Sequence, residues 1–210
     1  PRADFTPLLT TSLCANDSVY IQDASTVNFG NITKVEIIWD NAGAPTVKET
    51  DDLPVPGKTY AHLYPNFQSP LTKNFVIRYL AYSGGTCVNT ITRTITVNAA
   101  PRVQFNTVAP VCLDAASYQL TEATEVSGVP GTGVFTGQGI SSTGVFTPSV
   151  TGVGTFPVLY TYTSAFGCVD TISNSITVLS PATANFGFSK PACEKNSIAF
   201  TDSSSIPAAS

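Results

Sequence analysis

The chain carries nearly the same eleven residues twice. Cys87–Val97 reads Cys-Val-Asn-Thr-Ile-Thr-Arg-Thr-Ile-Thr-Val, and Cys168–Val178 reads Cys-Val-Asp-Thr-Ile-Ser-Asn-Ser-Ile-Thr-Val, with seven of eleven positions identical. Each copy runs into a Pro-containing joint, Ala99-Ala100-Pro101 or Ser180-Pro181. Each joint leads to an aromatic start, Val103-Gln104-Phe105 or Ala184-Asn185-Phe186, and then to a cysteine, Cys112 or Cys193. The opening follows the same order, with Ala3-Asp4-Phe5 and then Cys14. Self-similarity at a fixed period marks an array of units, each of which must bury a core.

The spacing of Cys14, Cys112 and Cys193 sets repeats of about a hundred and then about eighty residues, each large enough for a core of its own. This divides the chain into residues 1–99, 100–180 and the start of a third repeat over 181–210. The chain contains no Met, as expected of a segment cut or processed from something longer.

Local patterning specifies strands. Ser18–Gln22, Val35–Trp39 and Thr90–Val97 alternate in the first repeat, where Asn74–Tyr82 is a long, aromatic-rich run, and the second offers Phe156–Thr163 and Thr171–Val178. Alternation over 4–8 residues describes half-buried strands. Turn residues separate them at Asn41-Ala42-Gly43, Pro56-Gly57, Ser83-Gly84-Gly85 and Gly131-Thr132-Gly133. No segment has a sustained apolar period of 3.6. The expected fold is all-β: tandem immunoglobulin-like antiparallel β-sandwiches of about seven short strands each.

Charge and hydropathy exclude several roles. A net charge of −4 with no Lys/Arg cluster disfavours nucleic acid. No run of about 18 or more apolar residues is present to span a membrane as a helix. The cysteines fit no zinc spacing, since there is no C-x-x-C and His62 is the only histidine. Matching positions in tandem copies predict disulfides within each repeat, Cys14 with Cys87 and Cys112 with Cys168. Cys193 is then left unpaired in this segment. Such bonds persist outside the reducing cytoplasm, so the chain is expected to be extracellular.

Three segments of residues 1–99 resemble a polycystic-kidney-disease (PKD) domain of the bacterial surface-protein type. They are Ile37-Ile38-Trp39-Asp40-Asn41-Ala42-Gly43, Tyr60-Ala61-His62-Leu63-Tyr64-Pro65 and Phe75–Leu80. The turn departs from the family pattern in lacking its second aspartate and expected glycines. The second repeat is similar to immunoglobulin-like repeats of Bacteroidetes cell-surface proteins. It carries that resemblance through Gly137-Gln138-Gly139-Ile140, Gly144–Pro148, Gly152–Thr155 and Tyr160–Thr163. The third begins like the first. The resemblance implies a non-catalytic stalk, spacer, filament or adhesin segment, exported to the cell surface. Its partners would be neighbouring repeats of the chain and surface glycans or other cell-surface proteins.

No catalytic constellation is legible. His62 sits among aromatics and reads as a packed structural residue. The acids Asp40, Asp51 and Asp52 are the candidates for a cation such as Ca²⁺, although they fall short of a D-x-D-x-D loop. No other cofactor is expected. Trp39 ends an apolar strand and is expected to fill the core. Tyr60, Tyr64 and Phe67 are the candidate ligand-facing rings for a sugar. Two further readings follow: a carbohydrate-binding accessory module of a secreted glycan-degrading enzyme, and a subunit that assembles by β-strand addition through the incomplete third repeat.

Overall fold

A computed structural model describes residues 1–8, 13–189 and 197–206. The first repeat forms seven strands: β1 (Phe5–Pro7), β2 (Ser18–Asp23), β3 (Lys34–Ile38), β4 (Glu49–Asp51), β5 (Thr59–Leu63), β6 (Thr72–Ser83) and β7 (Cys87–Asn98). They make one sheet of order β1-β2-β5 and another of order β4-β3-β6-β7, with antiparallel pairing throughout. Two antiparallel sheets enclosing one core are an immunoglobulin-like sandwich.

The core follows directly from the alternation. In β2, Val19 and Ile21 point inward while Tyr20 is exposed. In β6, Phe75, Ile77, Tyr79 and Ala81 are buried in strict alternation. These meet Phe5, Val35, Ile37 and Trp39 in one cluster. Trp39 lies in the core, as its place at the end of an apolar strand predicts. Strand β7 behaves differently along its length: Ile95 and Val97 are buried, but Cys87–Thr90 are exposed. The facing sheet is built from strands of three to six residues and does not cover the far end of this 12-residue hairpin.

The second repeat contains β8 (Val103–Phe105), β9 (Val111–Cys112), β10 (Tyr118–Gln119), β11 (Ala123–Glu125), β12 (Gly131–Gly137), β13 (Val145–Phe146), β14 (Gly154–Ser164) and β15 (Val169–Leu179). Its main sheet has the order β12-β14-β15-β9, with the pairs β8-β11 and β10-β13 alongside. Phe105, Leu120, Phe135, Phe146, Val158 and Ile176 form its core. The only helical element among the described residues is a 3-10 turn over Pro148–Val150.

Two short strands follow, β16 (Phe186–Phe188) and β17 (Phe200–Asp202). Their register, Phe186 opposite Asp202 and Phe188 opposite Phe200, repeats that of Phe5 opposite Asp23 and Pro7 opposite Ile21. Even the local hydrogen bonds recur. Ser25 N–H donates to Asp23 Oδ1 at 2.9 Å and Ser204 N–H to Asp202 Oδ1 at 2.8 Å. The likeness of β16 and β17 to β1 and β2 thus extends to backbone geometry.

By compactness the chain divides into two units. The first holds Pro1–Arg102 together with Val126–Thr132 and Thr163–Asp170. The second holds Val103–Glu125, Gly133–Tyr162 and the described residues from Thr171 onward.

Candidate functional site

The first cysteine of each complete repeat occupies the same backbone setting. Cys14 bridges in parallel to Asn98, the last residue of β7, and Ala15 N–H donates to Asn98 O at 2.8 Å. Cys112 pairs in parallel with Leu179, the last residue of β15, and Leu113 N–H donates to Leu179 O at 2.9 Å. The second cysteine lies at the other end of the same strand. Cys87 opens β7, opposite Ser83. Cys168 immediately precedes β15, and its carbonyl accepts from Ser164 N–H at 2.8 Å.

This placement overturns the expected pairing. A strand of 12 residues at a rise of ~3.3 Å per residue separates its ends by about 36 Å. A disulfide requires Cα atoms within roughly 7 Å. Cys14 therefore cannot reach Cys87, and Cys112 cannot reach Cys168. The bond that forms joins Cys14 to Cys168, with Cα atoms 5.7 Å apart and a sequence separation of 154. Both partners are buried and lie in the first compact unit, which takes in the Thr163–Asp170 hairpin tip. Among the described residues, Cys87 and Cys112 are free and exposed. Cys193 lies outside the described residues.

Closing a loop of this length stabilises the folded state by about 5 kcal/mol in the chain-entropy account. The joint between repeats is held by other means as well. Ala99 N–H donates to Leu71 O at 2.9 Å, and Ala100 N–H donates to Asn66 Oδ1 at 3.2 Å. Arg102 N–H donates to Ser127 Oγ at 3.2 Å, while Arg102 O accepts from Val126 N–H at 2.8 Å. Every residue in this network belongs to the first unit.

The candidate sugar-binding rings are not a surface platform. Tyr60 and Tyr64 are 4% and 2% exposed, and Phe67 is half-buried against the same core. Tyr64 donates its hydroxyl to Trp39 O at 2.7 Å and stacks on Phe75 at 4.0 Å between centroids. Tyr60 donates to Asp51 Oδ2 at 2.8 Å. The physical reason is the alternation of Tyr60-Ala61-His62-Leu63-Tyr64, which turns all three rings to one face while Leu63 is exposed.

His62 stacks on Trp39 with centroids 4.9 Å apart and meets Tyr64 edge-on at 4.6 Å. Burial lowers its pKa, and the negative charge of Glu49 partly opposes the shift. Glu49 itself accepts from Trp39 Nε1–H at 2.9 Å. His62 thus serves as an aromatic wall beside Trp39.

The three candidate cation ligands are each placed differently. Asp40 Oδ1 accepts from Gly43 N–H at 2.9 Å and closes the turn; a Cβ on Gly43 would collide with the same carboxylate. Asp51 accepts from Lys58 Nζ at 2.7 Å, Tyr60 hydroxyl at 2.8 Å and Leu53 N–H at 3.0 Å. Its pKa is lowered chiefly by Lys58. Asp52 lines an open hollow of about 790 Å³ with the loops around Asn31 and Pro54. Among the described residues, no three His, Cys, Asp or Glu side chains converge as a metal site.

Sequence reasoning missed Glu36, the most strongly perturbed acid. It is buried yet accepts from Lys48 Nζ at 2.7 Å, Lys34 Nζ at 3.1 Å and Tyr82 hydroxyl at 2.7 Å. The hydrogen bond from Lys48 leads in holding its carboxyl down to about 2, against the opposing effect of burial. The available signal was an acid flanked by Lys34 within an otherwise apolar strand.

No family model matches this chain, and no curated protein matches it. Solved structures similar to it include extracellular cadherin domains 3–6 of protocadherin gamma B2, at 9% identity and a TM-score of 0.33. That alignment covers 97% of this chain and 60% of that one. The insect immune protein hemolin aligns at 10% identity and a TM-score of 0.35, covering 86% of this chain and 48% of that one. The chain thus spans less than two thirds of either. The immunoglobulin-like architecture stands on the strand order described above.

Proposed function

We propose that this chain is a segment of a tandem array of immunoglobulin-like repeats that serves as a cross-linked spacer or stalk on the outside of a cell. The observation that carries this reading is the Cys14–Cys168 bond, which ties the start of one repeat to the terminal hairpin of the next. A disulfide of this kind fits an oxidising compartment. The backbone of Ala99–Arg102 is hydrogen-bonded within the first compact unit, which supports an ordered segment there. The ionisable groups with the strongest contacts, Glu36 and Asp51, are spent on structural ion pairs. The PKD-type character of the first repeat and a bacterial cell-surface origin belong to the same reading, supported by the Trp39-Asp40 turn and the Tyr60–Pro65 segment.

Limited trypsin digestion tests whether that segment is ordered. The Arg102–Val103 bond is expected to resist cleavage while the chain remains folded and oxidised. Rapid cutting there into two separately folded halves would contradict the proposal.

A further inference from the structure

We propose that Cys87 and Cys112 are the two unfilled halves of the same cross-link that Cys14 and Cys168 have already made. Cys112 is the acceptor for the hairpin cysteine of a repeat placed after it. Cys87 is the hairpin cysteine offered to the first cysteine of a repeat placed before it. This rests on the repeat-array reading and names the partner of its exposed thiols: another repeat of the same kind.

Two observations carry the inference independently of the thiols being exposed. The first is that each free cysteine has a bonded counterpart in an equivalent backbone position of the same molecule. Cys112 matches Cys14 in its parallel partner at the strand end, Leu179 or Asn98. The match extends to the following turn, where Ala115 N–H donates to Cys112 O at 3.0 Å and Asp17 N–H to Cys14 O at 3.2 Å. Cys87 matches Cys168 at the mouth of the β6–β7 and β14–β15 hairpins, opposite Ser83 and Ser164 respectively.

The second observation is that the two free thiols cannot be satisfied by the other cysteine of their own repeat. The ends of β7 and of β15 are about 36 Å apart by strand rise, so each must look outside its repeat. The bond seen fixes the rule: first cysteine of one repeat, hairpin cysteine of the next. Applied at every junction, that rule ties each repeat covalently to both neighbours, beyond the peptide link itself. The exposed stretch Cys87–Thr90 fits the same purpose, since it carries the thiol clear of the core.

The chemistry is thiol–disulfide exchange with a small-molecule disulfide as oxidant. The Cys112 thiolate attacks oxidised glutathione, forms a mixed disulfide and releases one glutathione thiol. The Cys87 thiolate of the partner repeat then attacks the protein sulfur and releases the second. Two protein thiols are oxidised and one glutathione disulfide is reduced.

A second copy of the chain supplies the partner in solution. Cys87→Ser and Cys112→Ser variants, both also carrying Cys193→Ser, are incubated with a glutathione redox buffer, separately and as an equimolar mixture. Products are read on non-reducing gels and by peptide mass mapping. The mixture is expected to give severalfold more covalent dimer than either variant alone, with Cys112 of one chain linked to Cys87 of the other. The inference is overturned by equal dimer in all three reactions, or by no dimer while both thiols still react with an alkylating agent. A Cys14–Cys168 peptide found alongside either result leaves the array reading standing. Its absence removes that reading too.

Discussion

Pulling a single molecule from its two ends measures the Cys14–Cys168 bond directly. With the bond intact, force passes from the residues before Cys14 straight to those after Cys168. The 154-residue separation between them contributes only the 5.7 Å between the two Cα atoms. Reduction releases that hidden length, which at ~3.5 Å per residue is about 540 Å of extra contour once both sandwiches unfold. The assay is constant-velocity force spectroscopy with handles beyond residues 1 and 210, repeated in dithiothreitol. A Cys14→Ser, Cys168→Ser double variant controls for effects of the reductant. In the oxidised protein only the residues outside the bond, β1 and β15 among them, are expected to extend, whereas the reduced protein and the variant should gain the whole contour between Cys14 and Cys168. Bonds confined within each repeat would hide two shorter loops and leave the joint between them to extend. Identical contour lengths with and without reductant would refute the reasoning outright.

Three further substitutions probe the interior of the repeats. Glu36 has a folded pKa of about 2 against an ordinary 4.5, so its contribution is full above pH 4.5 and is lost as pH falls towards 2. Glu36→Gln is expected to cost about 2 kcal/mol at pH 7, moderated by the half-exposed Lys48. In urea denaturation the difference from the parent chain should shrink across that acid window, and a constant difference from pH 7 to pH 3 would count against it. Tyr64→Phe removes a buried hydroxyl that donates to Trp39 O and should cost roughly 1–2 kcal/mol. Tyr118→Phe removes a buried hydroxyl with no hydrogen-bond partner among the described residues and keeps the edge-on contact with Phe146, so thermal melts should show no loss and a small gain; equal destabilisation by the two changes would contradict this.

Much of the fold was legible because strand alternation is a local signal. Asn74–Tyr82 already displays the inward set Phe75, Ile77, Tyr79 and Ala81, and the structure buries all four. The same signal was present in Tyr60, His62 and Tyr64, where spacing by two puts the rings on one face. A surface role for Tyr60 and Tyr64 required ignoring it. The disulfide connectivity was not legible for a different reason. Matched positions in tandem copies show which cysteines are equivalent, but not which are neighbours. That depends on the length of β7 and β15 and on the parallel bridges at their ends, contacts between residues far apart in sequence. Glu36 escaped notice because Lys48 and Tyr82 reach it from the segment before β4 and from β6 respectively, neither adjacent in the chain.

The central claim is that covalent linkage crosses from one repeat to the next, and non-reducing peptide mapping after alkylation of free thiols tests it most directly. The account predicts one linked peptide pair containing Cys14 and Cys168, with Cys87 and Cys112 alkylated. Linked Cys14–Cys87 and Cys112–Cys168 peptides would contradict it.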